Sequence, residues 1–414
     1  MAHCHPPVTE AKLIADPRNG ELEAAHSRTL LDYVIFRITS RQLKAVGFRW
    51  YSERTKMNNK AVIAMSGGVD SSVAAYLMKQ RGFDCIGVTM KLFANEDIGV
   101  SREHSCCSLD DVEDARSVAY SLDMPYYVFN FSDRFETDVI DRFIHAYENG
   151  ITPNPCIDCN RYLKFDKLYM RAKELDRDYV VTGHYARVEK GGNGRYLLKK
   201  ALDDTKDQSY VLYCLTQEQL SHTIFPLGEM RKSQAREIAE AQGFINARKA
   251  DSQDICFVQN GSYADFIEQY TGKNYPDGDF LDTEGNVIGR HKGVIRYTVG
   301  QRKGLGISAP EPLYVKAVDP VSNTVTLSYN DGLYSSVVKA GDINLISVPE
   351  IKGEMRVKAK VRYRHTEQWA TVTQNGDILT AVFDEPQRAV TCGQALVLYD
   401  GDIVVGGGTI IEVE

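Results

Sequence analysis

Lys60-Ala61-Val62-Ile63-Ala64-Met65, followed at once by Ser66-Gly67-Gly68-Val69-Asp70-Ser71-Ser72, constrains the fold more than any other stretch of this chain. The first part reads as a short buried strand. The second is a glycine- and hydroxyl-rich turn, and Val73 to Arg81 is a helical pattern stopped at Gly82. A strand, a glycine turn and a helix start make an anion site. The first backbone N–H groups have no intrahelical partner, and the helix dipole adds positive potential there. Gly67 and Gly68 let the backbone approach a phosphate, while Ser66, Ser71 and Ser72 offer hydroxyls. Asp70 in such a cradle implies bound Mg2+ or a capping role. No Gly-Lys-Ser/Thr follows, so this is not the lysine-bearing P-loop. The plainer alternative is a strand-to-helix turn with a serine cap.

The pattern continues. Lys60–Met65, Asp84–Phe93, Tyr126–Phe131 and Tyr179–Tyr185 are β-rich, and helical patterns lie between them at Val73–Arg81, Asp110–Leu122, Arg134–Asn149 and Phe165–Leu175. Such alternation predicts an α/β fold, a doubly wound parallel sheet covered on both faces, with ligands at the carboxyl ends of its strands. Ser108-Leu109-Asp110-Asp111 has the form of a capping box for the second helix. Ala186–Ala201, centred on Gly191-Gly192-Asn193-Gly194, reads as a hairpin set into this domain, and Lys232–Gln242 as a helix ended by Gly243. After Asp251 the texture turns to short β-rich runs. The expected division is a nucleotide-binding domain over 60–260, a small β-rich central domain over 261–335 and a C-terminal β-barrel over 336–414. Residues 1–59 carry no clear pattern beyond an apolar stretch, Thr29–Ile38. An appended element and a start codon placed upstream of Met57 both remain open.

A net charge of −7 argues against a general nucleic-acid binder, though not against local basic faces. No apolar run reaches the length of a membrane span, and Glu10, Asp16, Glu21 and Glu23 argue against a transit peptide. Nine cysteines, several inside chemical-looking motifs, suit a reducing cytoplasm with reactive or metal-binding thiols. Thr152-Pro153-Asn154-Pro155-Cys156-Ile157-Asp158-Cys159-Asn160 sets a Cys-x-x-Cys in a proline-rich loop, expected to be stiff and non-helical. Cys256 follows in Asp251-Ser252-Gln253-Asp254-Ile255-Cys256. Separated thiols point to sulfur transfer, disulfide exchange or a metal cluster. A zinc half-site at Cys156 and Cys159, and a buried core cysteine at Cys256, are the structural alternatives.

The Ser66–Ser72 turn, Cys106-Cys107-Ser108-Leu109, the Thr152–Asn160 motif, Thr182-Gly183-His184-Tyr185-Ala186, Lys206-Asp207-Gln208 and Tyr297-Thr298-Val299-Gly300-Gln301-Arg302-Lys303-Gly304 occur in this order. Together they resemble the tRNA-specific 2-thiouridylase family, a branch of the ATP-pyrophosphatases, from about Lys60 to the C-terminus. The resemblance implies ATP-dependent replacement of the C2 oxygen of the wobble uridine, position 34 of tRNA, by sulfur. ATP, with Mg2+, would occupy Ala64 to Ser71, with Met90 and Gly183 lining the adenosine pocket. Cys159 would be the nucleophile and Cys256 the persulfide carrier, charged by a sulfur-donor protein. Asn154, Pro155 and Cys156 would cradle the target base. His184, Lys206, Asp207, Gln208, Arg362, Tyr363 and Gln394 would meet tRNA, though His184 also suits a satisfied strand-end position. Some members carry Asp where Cys156 stands here, so either Asp158 substitutes as acid/base or none is used. Cys156, Cys159 and Cys256 also match the ligand need of a 4Fe–4S cluster.

The β-rich half supplies positive charge. In Arg356-Val357-Lys358-Ala359-Lys360-Val361-Arg362-Tyr363-Arg364 every second residue is basic, which on a strand projects five cations from one face toward a phosphate backbone. A solvated barrel face is the alternative, and Tyr363 fits either base stacking or barrel packing. Arg290-His291-Lys292 with Arg296, Arg302 and Lys303 forms a second cluster. The rival functions are another ATP-pyrophosphatase, such as argininosuccinate synthase or the lysidine-forming ligase, a non-catalytic nucleotide-binding module, and an RNA-binding adaptor. The thiols and the β-rich half are what these leave unused.

Overall fold

Successive residues of the first strand, Lys60–Ala64, bury to opposite sides of a sheet, as a strand covered on both faces must. Ile63 packs with Val73, Ala74 and Leu77 of the helix Val69–Gln80. Val62 packs on the other side with Phe165, Leu168 and Ala172. The computed structural model describes residues 58–93, 109–251, 255–258 and 262–414. The expectations placed on Thr29–Ile38, Cys106-Cys107 and Ser108 lie outside them.

The sheet has five strands, all parallel, and Lys60–Ala64 lies at its centre. Asp84–Lys91 and then Tyr126–Asn130 extend it to one side; Tyr179–Val181 and then Thr223–Ile224 extend it to the other. The chain therefore reverses its direction of travel between the first strand and Tyr179–Val181. In open α/β sheets the crevice at that switch point is where ligands bind. The glycine turn leaves one of these two strands and Thr182-Gly183 leaves the other.

Two helices depart from expectation. The first starts at Val69, a turn earlier than predicted, because Gly68 is extended and the Ser71 and Ser72 hydroxyls donate back to its carbonyl. The proline-rich loop also becomes helical sooner. Helix begins at Pro155, widens to π-helical turns over Cys159–Lys167 and continues through Leu168–Glu174. Proline at the first helical position loses no hydrogen bond and its fixed φ suits the turn, so Pro155 starts a helix where the sequence reading had it prevent one.

Beyond these elements, Gly278–Leu281, Val287–His291, Tyr314–Asp319 and Thr324–Ser328 form a four-stranded sheet. The last part of the chain is a closed antiparallel barrel, completed where Tyr334–Leu345 pairs with Ile403–Val413. Val338, Ala340, Val357, Ala359, Val372 and Leu398 fill it. The hairpin Arg187–Lys190 with Tyr196–Lys199 forms as predicted, yet it adds to the barrel's sheet through Lys199 and Ile403 rather than to the parallel sheet. One compact unit takes in all the described residues. None of their helices is long and apolar enough to cross a membrane.

Candidate nucleotide and thiol site

The turn is shaped by contacts with Asp111 and Asn246 and by its own serine hydroxyls. Gly67 has φ +74, and a Cβ there would stand 2.4 Å from the Asp111 carbonyl oxygen. Asn246, buried beneath, donates from Nδ2 to the Gly67 carbonyl at 2.8 Å and to Ser72 Oγ at 2.9 Å. Ser66 is exposed, whereas the Ser71 and Ser72 hydroxyls fasten the turn rather than face outward. A Cβ on Gly183 would fall 2.7 Å from the Asp70 carbonyl carbon and 2.8 Å from the Ser71 nitrogen, so glycine lets the end of that strand abut the helix start. Ala64 ends the first strand, Met65 follows it, and the Thr89 hydroxyl donates to the Met65 carbonyl at 2.7 Å. Val69 is buried in the first helical turn and Met90 is partly buried at the end of the neighbouring strand.

Asp70 does not cap the helix. Its two carboxylate oxygens each accept from Lys232 Nζ at 2.8 Å, and one also accepts from the Tyr185 hydroxyl at 2.8 Å. The Lys232 ammonium, buried, also meets Asp251 at 2.8 Å, and Asp251 further pairs with Lys206 and Arg236, each at 2.9 Å. Burial alone would raise the Asp251 carboxyl; hydrogen bonds from Lys232 and Lys206 outweigh it and hold the group at about 2. Burial and the neighbouring Asp70 carboxylate push the Tyr185 hydroxyl up. The cap expected of Asp70 is not formed: no side-chain hydrogen bond caps this helix, and the carboxylate is held by Lys232 and Tyr185 instead. Lys232 and Asn246 were missed in the sequence. Their partners are 162 and 179 residues away, a separation at which no local pattern speaks.

The thiols divide. Cys156 is exposed, while Cys159, one turn on, is buried against Phe135, Phe143, Leu163 and Phe257. Cys256 is partly buried against the same apolar cluster, which Met90 also borders. Burial raises the Cys159 thiol, opposed by Lys164. Burial also lifts the Asp158 carboxyl to about 6, against the lowering effect of Arg142 and Arg161. Among the described residues no three His, Cys, Asp or Glu side chains gather as a metal-ligand set. Cys156, Cys159 and Cys256 as placed therefore do not fit the 4Fe–4S cluster, because the helix turns Cys156 to solvent and Cys159 into the core. Asn154 precedes the helix with extended backbone, and Pro155 is buried.

The expected RNA contacts are largely bound within the protein. Lys206 holds Asp251; Asp207 accepts from the Ala201 and Ser209 backbone and the Ser209 hydroxyl; Gln208 accepts from the Tyr185 N–H. His184 lies between the rings of Phe165 and Phe225, its Nδ1 2.7 Å from the Thr182 hydroxyl, and burial pushes its pKa well below the usual imidazole value. The basic strand ends at Lys360, so the predicted alternation stops short of five. Arg356 and Lys358 are exposed on one face, 5.2 and 5.6 Å from the centre of the exposed Trp369 ring, with Arg356 paired to Asp384. Arg362 turns inward and donates to the Val299 carbonyl and Thr391 Oγ1. Tyr363 is exposed, and its hydroxyl donates to the Asp207 carbonyl. Gln394 Nε2 donates to the Thr152 carbonyl at 2.9 Å and the Pro153 carbonyl at 3.1 Å.

Comparison with known proteins adds to this geometry. Residues 59–260 match the family described as tRNA methyl transferase HUP domain, 264–329 the tRNA methyl transferase PRC-barrel domain, and 335–410 the aminomethyltransferase beta-barrel domain. The chain is 52% identical over 356 residues to the tRNA-specific 2-thiouridylase MnmA of Clostridioides difficile (strain 630), covering 86% of this chain and 98% of that protein. It is 51% identical over 355 residues to the tRNA-specific 2-thiouridylase MnmA of Lachnoclostridium phytofermentans, covering 85% and 99%. Among solved structures, the U34-tRNA thiolase NcsA from Methanococcus maripaludis is 17% identical with a TM-score of 0.35, over 57% of this chain and 72% of that one, a likeness too slight to carry an argument.

Proposed function

We propose that this chain, which belongs to the tRNA-specific 2-thiouridylase family, replaces the C2 oxygen of uridine 34 in tRNA by sulfur at the expense of ATP. The carrying observation is a juxtaposition. The glycine turn opens at the sheet's switch point, while Cys159, Cys256 and Met90 border a single apolar cluster beside it.

The chemistry follows from what each part can do. A uracil carbonyl oxygen is a poor leaving group. Its attack on the α-phosphorus of ATP forms an O–P bond and breaks the bond to pyrophosphate, which the N–H groups from Gly68 onward receive. Ala64 to Ser71 line the nucleotide in this reading, with Met90 and Gly183 at the adenosine. The terminal sulfur of a persulfide on Cys256 adds to C2, and AMP departs with the former carbonyl oxygen. Cys159 then attacks the Cys256 sulfur, the S–S bond of the persulfide breaks, and its electron pair stays on the sulfur now held by C2. A Cys159–Cys256 disulfide remains, to be reduced by an external thiol. The sulfur comes from a donor protein that charges Cys256.

Burial disfavours the Cys159 thiolate, so a proton acceptor is required. Asp158, with its carboxyl at about 6, is the candidate. Asn154 and Cys156 face the base, with the buried Pro155 between them starting the helix, and Arg356, Lys358, Tyr363 and Arg364 meet the tRNA. Magnesium enters as the nucleotide's counter-ion and no step is assigned to it. In this reading 60–260 carries the chemistry, 261–335 links, 336–414 contacts tRNA, and the enzyme works in the cytoplasm.

The test is mass spectrometry of tRNA nucleosides after incubation with ATP and a persulfide donor. A wobble uridine heavier by the exchange of oxygen for sulfur is expected, and it disappears in Cys159→Ser and Cys256→Ser. No gain with the wild-type chain rejects the activity.

A further inference from the structure

Gln394 resembles a tRNA contact by its place in the sequence, yet its amide is spent elsewhere. A glutamine side chain has two N–H donors on one nitrogen. Here that nitrogen serves the carbonyls of Thr152 and Pro153, the two residues leading into Asn154 and the helix of Cys156 and Cys159. Only the acceptor Oε1 is left for an RNA donor.

The neighbouring barrel residues grip the same segment. The Thr152 N–H donates to the Cys392 carbonyl at 3.0 Å, so this extended piece is held by its backbone on both sides. Gly393 has φ +89, and a Cβ there would stand 2.3 Å from Ile151 Cγ2 and 2.9 Å from the Thr152 carbonyl oxygen. Further along the helix, Arg161 pairs with the barrel's Asp342. The barrel thus holds the thiol helix before its first turn and again two residues after Cys159. Arg362 closes the chain of contacts: it donates to Thr391 Oγ1, and the Thr391 carbonyl accepts from the Gln394 N–H at 3.3 Å.

We propose that Gln394 is a positioning residue that fixes the Cys156–Cys159 helix to the barrel, so that the surface meeting tRNA sets where the thiols stand. This rests on the sulfur-transfer reading for its purpose and its kcat readout, but not for its first two readouts, which follow backbone and thiol behaviour in the full-length chain without turnover. Gln394→Met keeps the length and removes both donors. The amide of Thr152 is expected to exchange hydrogen at least about tenfold faster, and Cys159 to be alkylated several-fold faster, as the segment loosens. With tRNA and ATP, kcat is expected to fall by about tenfold or more while the tRNA Kd stays within about twofold. Gly393→Ala, which pushes on the segment from the adjoining residue, gives the same pattern and serves where Gln394→Met does not fold. The proposal is overturned if tRNA affinity falls about tenfold while Thr152 exchange, Cys159 alkylation and kcat at saturating tRNA stay as in wild type. It is equally overturned if no readout moves.

Discussion

Alanine in place of Gly68 separates what the turn does for the fold from what it does for a phosphate. Gly68 sits at φ −91, ψ 163, extended backbone open to any residue, and an added Cβ meets only Ser66 Oγ, at 3.5 Å. As the residue before the first helical position, alanine is somewhat worse than glycine, by up to about 1 kcal/mol. The folded chain should therefore melt within a few degrees of wild type. The methyl, however, stands on the outer side of the turn, where the backbone must come within hydrogen-bond reach of phosphate. Intrusion of one methyl into a fitted contact costs about 1–3 kcal/mol, which is about 5- to 150-fold in Kd. Gly67→Ala makes the contrast: at φ +74 and 2.4 Å from the Asp111 carbonyl it should lose both stability and binding. Titration calorimetry with a non-hydrolysable ATP analogue, beside thermal melts, reads both. If Gly68→Ala binds nucleotide within about twofold of wild type with an unchanged melt, phosphate does not rest on this turn and the reasoning fails.

Other outcomes follow from the described contacts. Among the described residues Lys232→Met leaves Asp70 with only the Tyr185 hydroxyl, and should cost about 1–3 kcal/mol in urea unfolding and weaken ATP binding; Lys232→Arg should recover part of both. Asp158 has a carboxyl raised from 3.8 to about 6, so its contribution to stability is present below the unfolded value and is lost as pH rises through the folded one. The resulting penalty reaches about 3 kcal/mol near neutral pH, so Asp158→Asn should raise the urea midpoint at about pH 7.5 and leave it unchanged at about pH 4. An equal effect at both pH values would contradict the assignment. Lys358→Ala should weaken tRNA binding and lower the salt-dependence slope by about 1. Arg362→Ala should instead lower the melting temperature, because the Val299 carbonyl and Thr391 lose their donor.

What the sequence made legible was whatever depends on neighbours along the chain. The parallel sheet, the glycine turn, the hairpin at Gly191–Gly194 and the closed barrel all rest on periodicity or turn chemistry over a few residues. The Lys232–Asp70 pairing spans 162 residues and rests on no local signal. Pro155 was misjudged because its effect depends on position: at a helix start it is neutral, while in the interior it breaks the helix. The alternation through Arg364 failed for another reason. Periodicity assigns faces only while the strand lasts, and after Lys360 the chain turns and takes Arg362 inside. Cys159 could be nominated by resemblance, but its burial, which decides its reactivity, belongs to the packed cluster of Phe135, Phe143 and Phe257.

The hairpin that joins the barrel's sheet carries a consequence of timing. Its strand Tyr196–Lys199 pairs with Ile403–Val413, and Lys200 Nζ donates to the Gly401 carbonyl across 201 residues of chain. At ordinary rates of synthesis the later partner leaves the ribosome about 10–40 s after the hairpin. Through that interval the hairpin's edge waits exposed, and so does the apolar cluster that Ile346, Val397 and Tyr399 later complete, so a chain stalled within the barrel should present both to a chaperone.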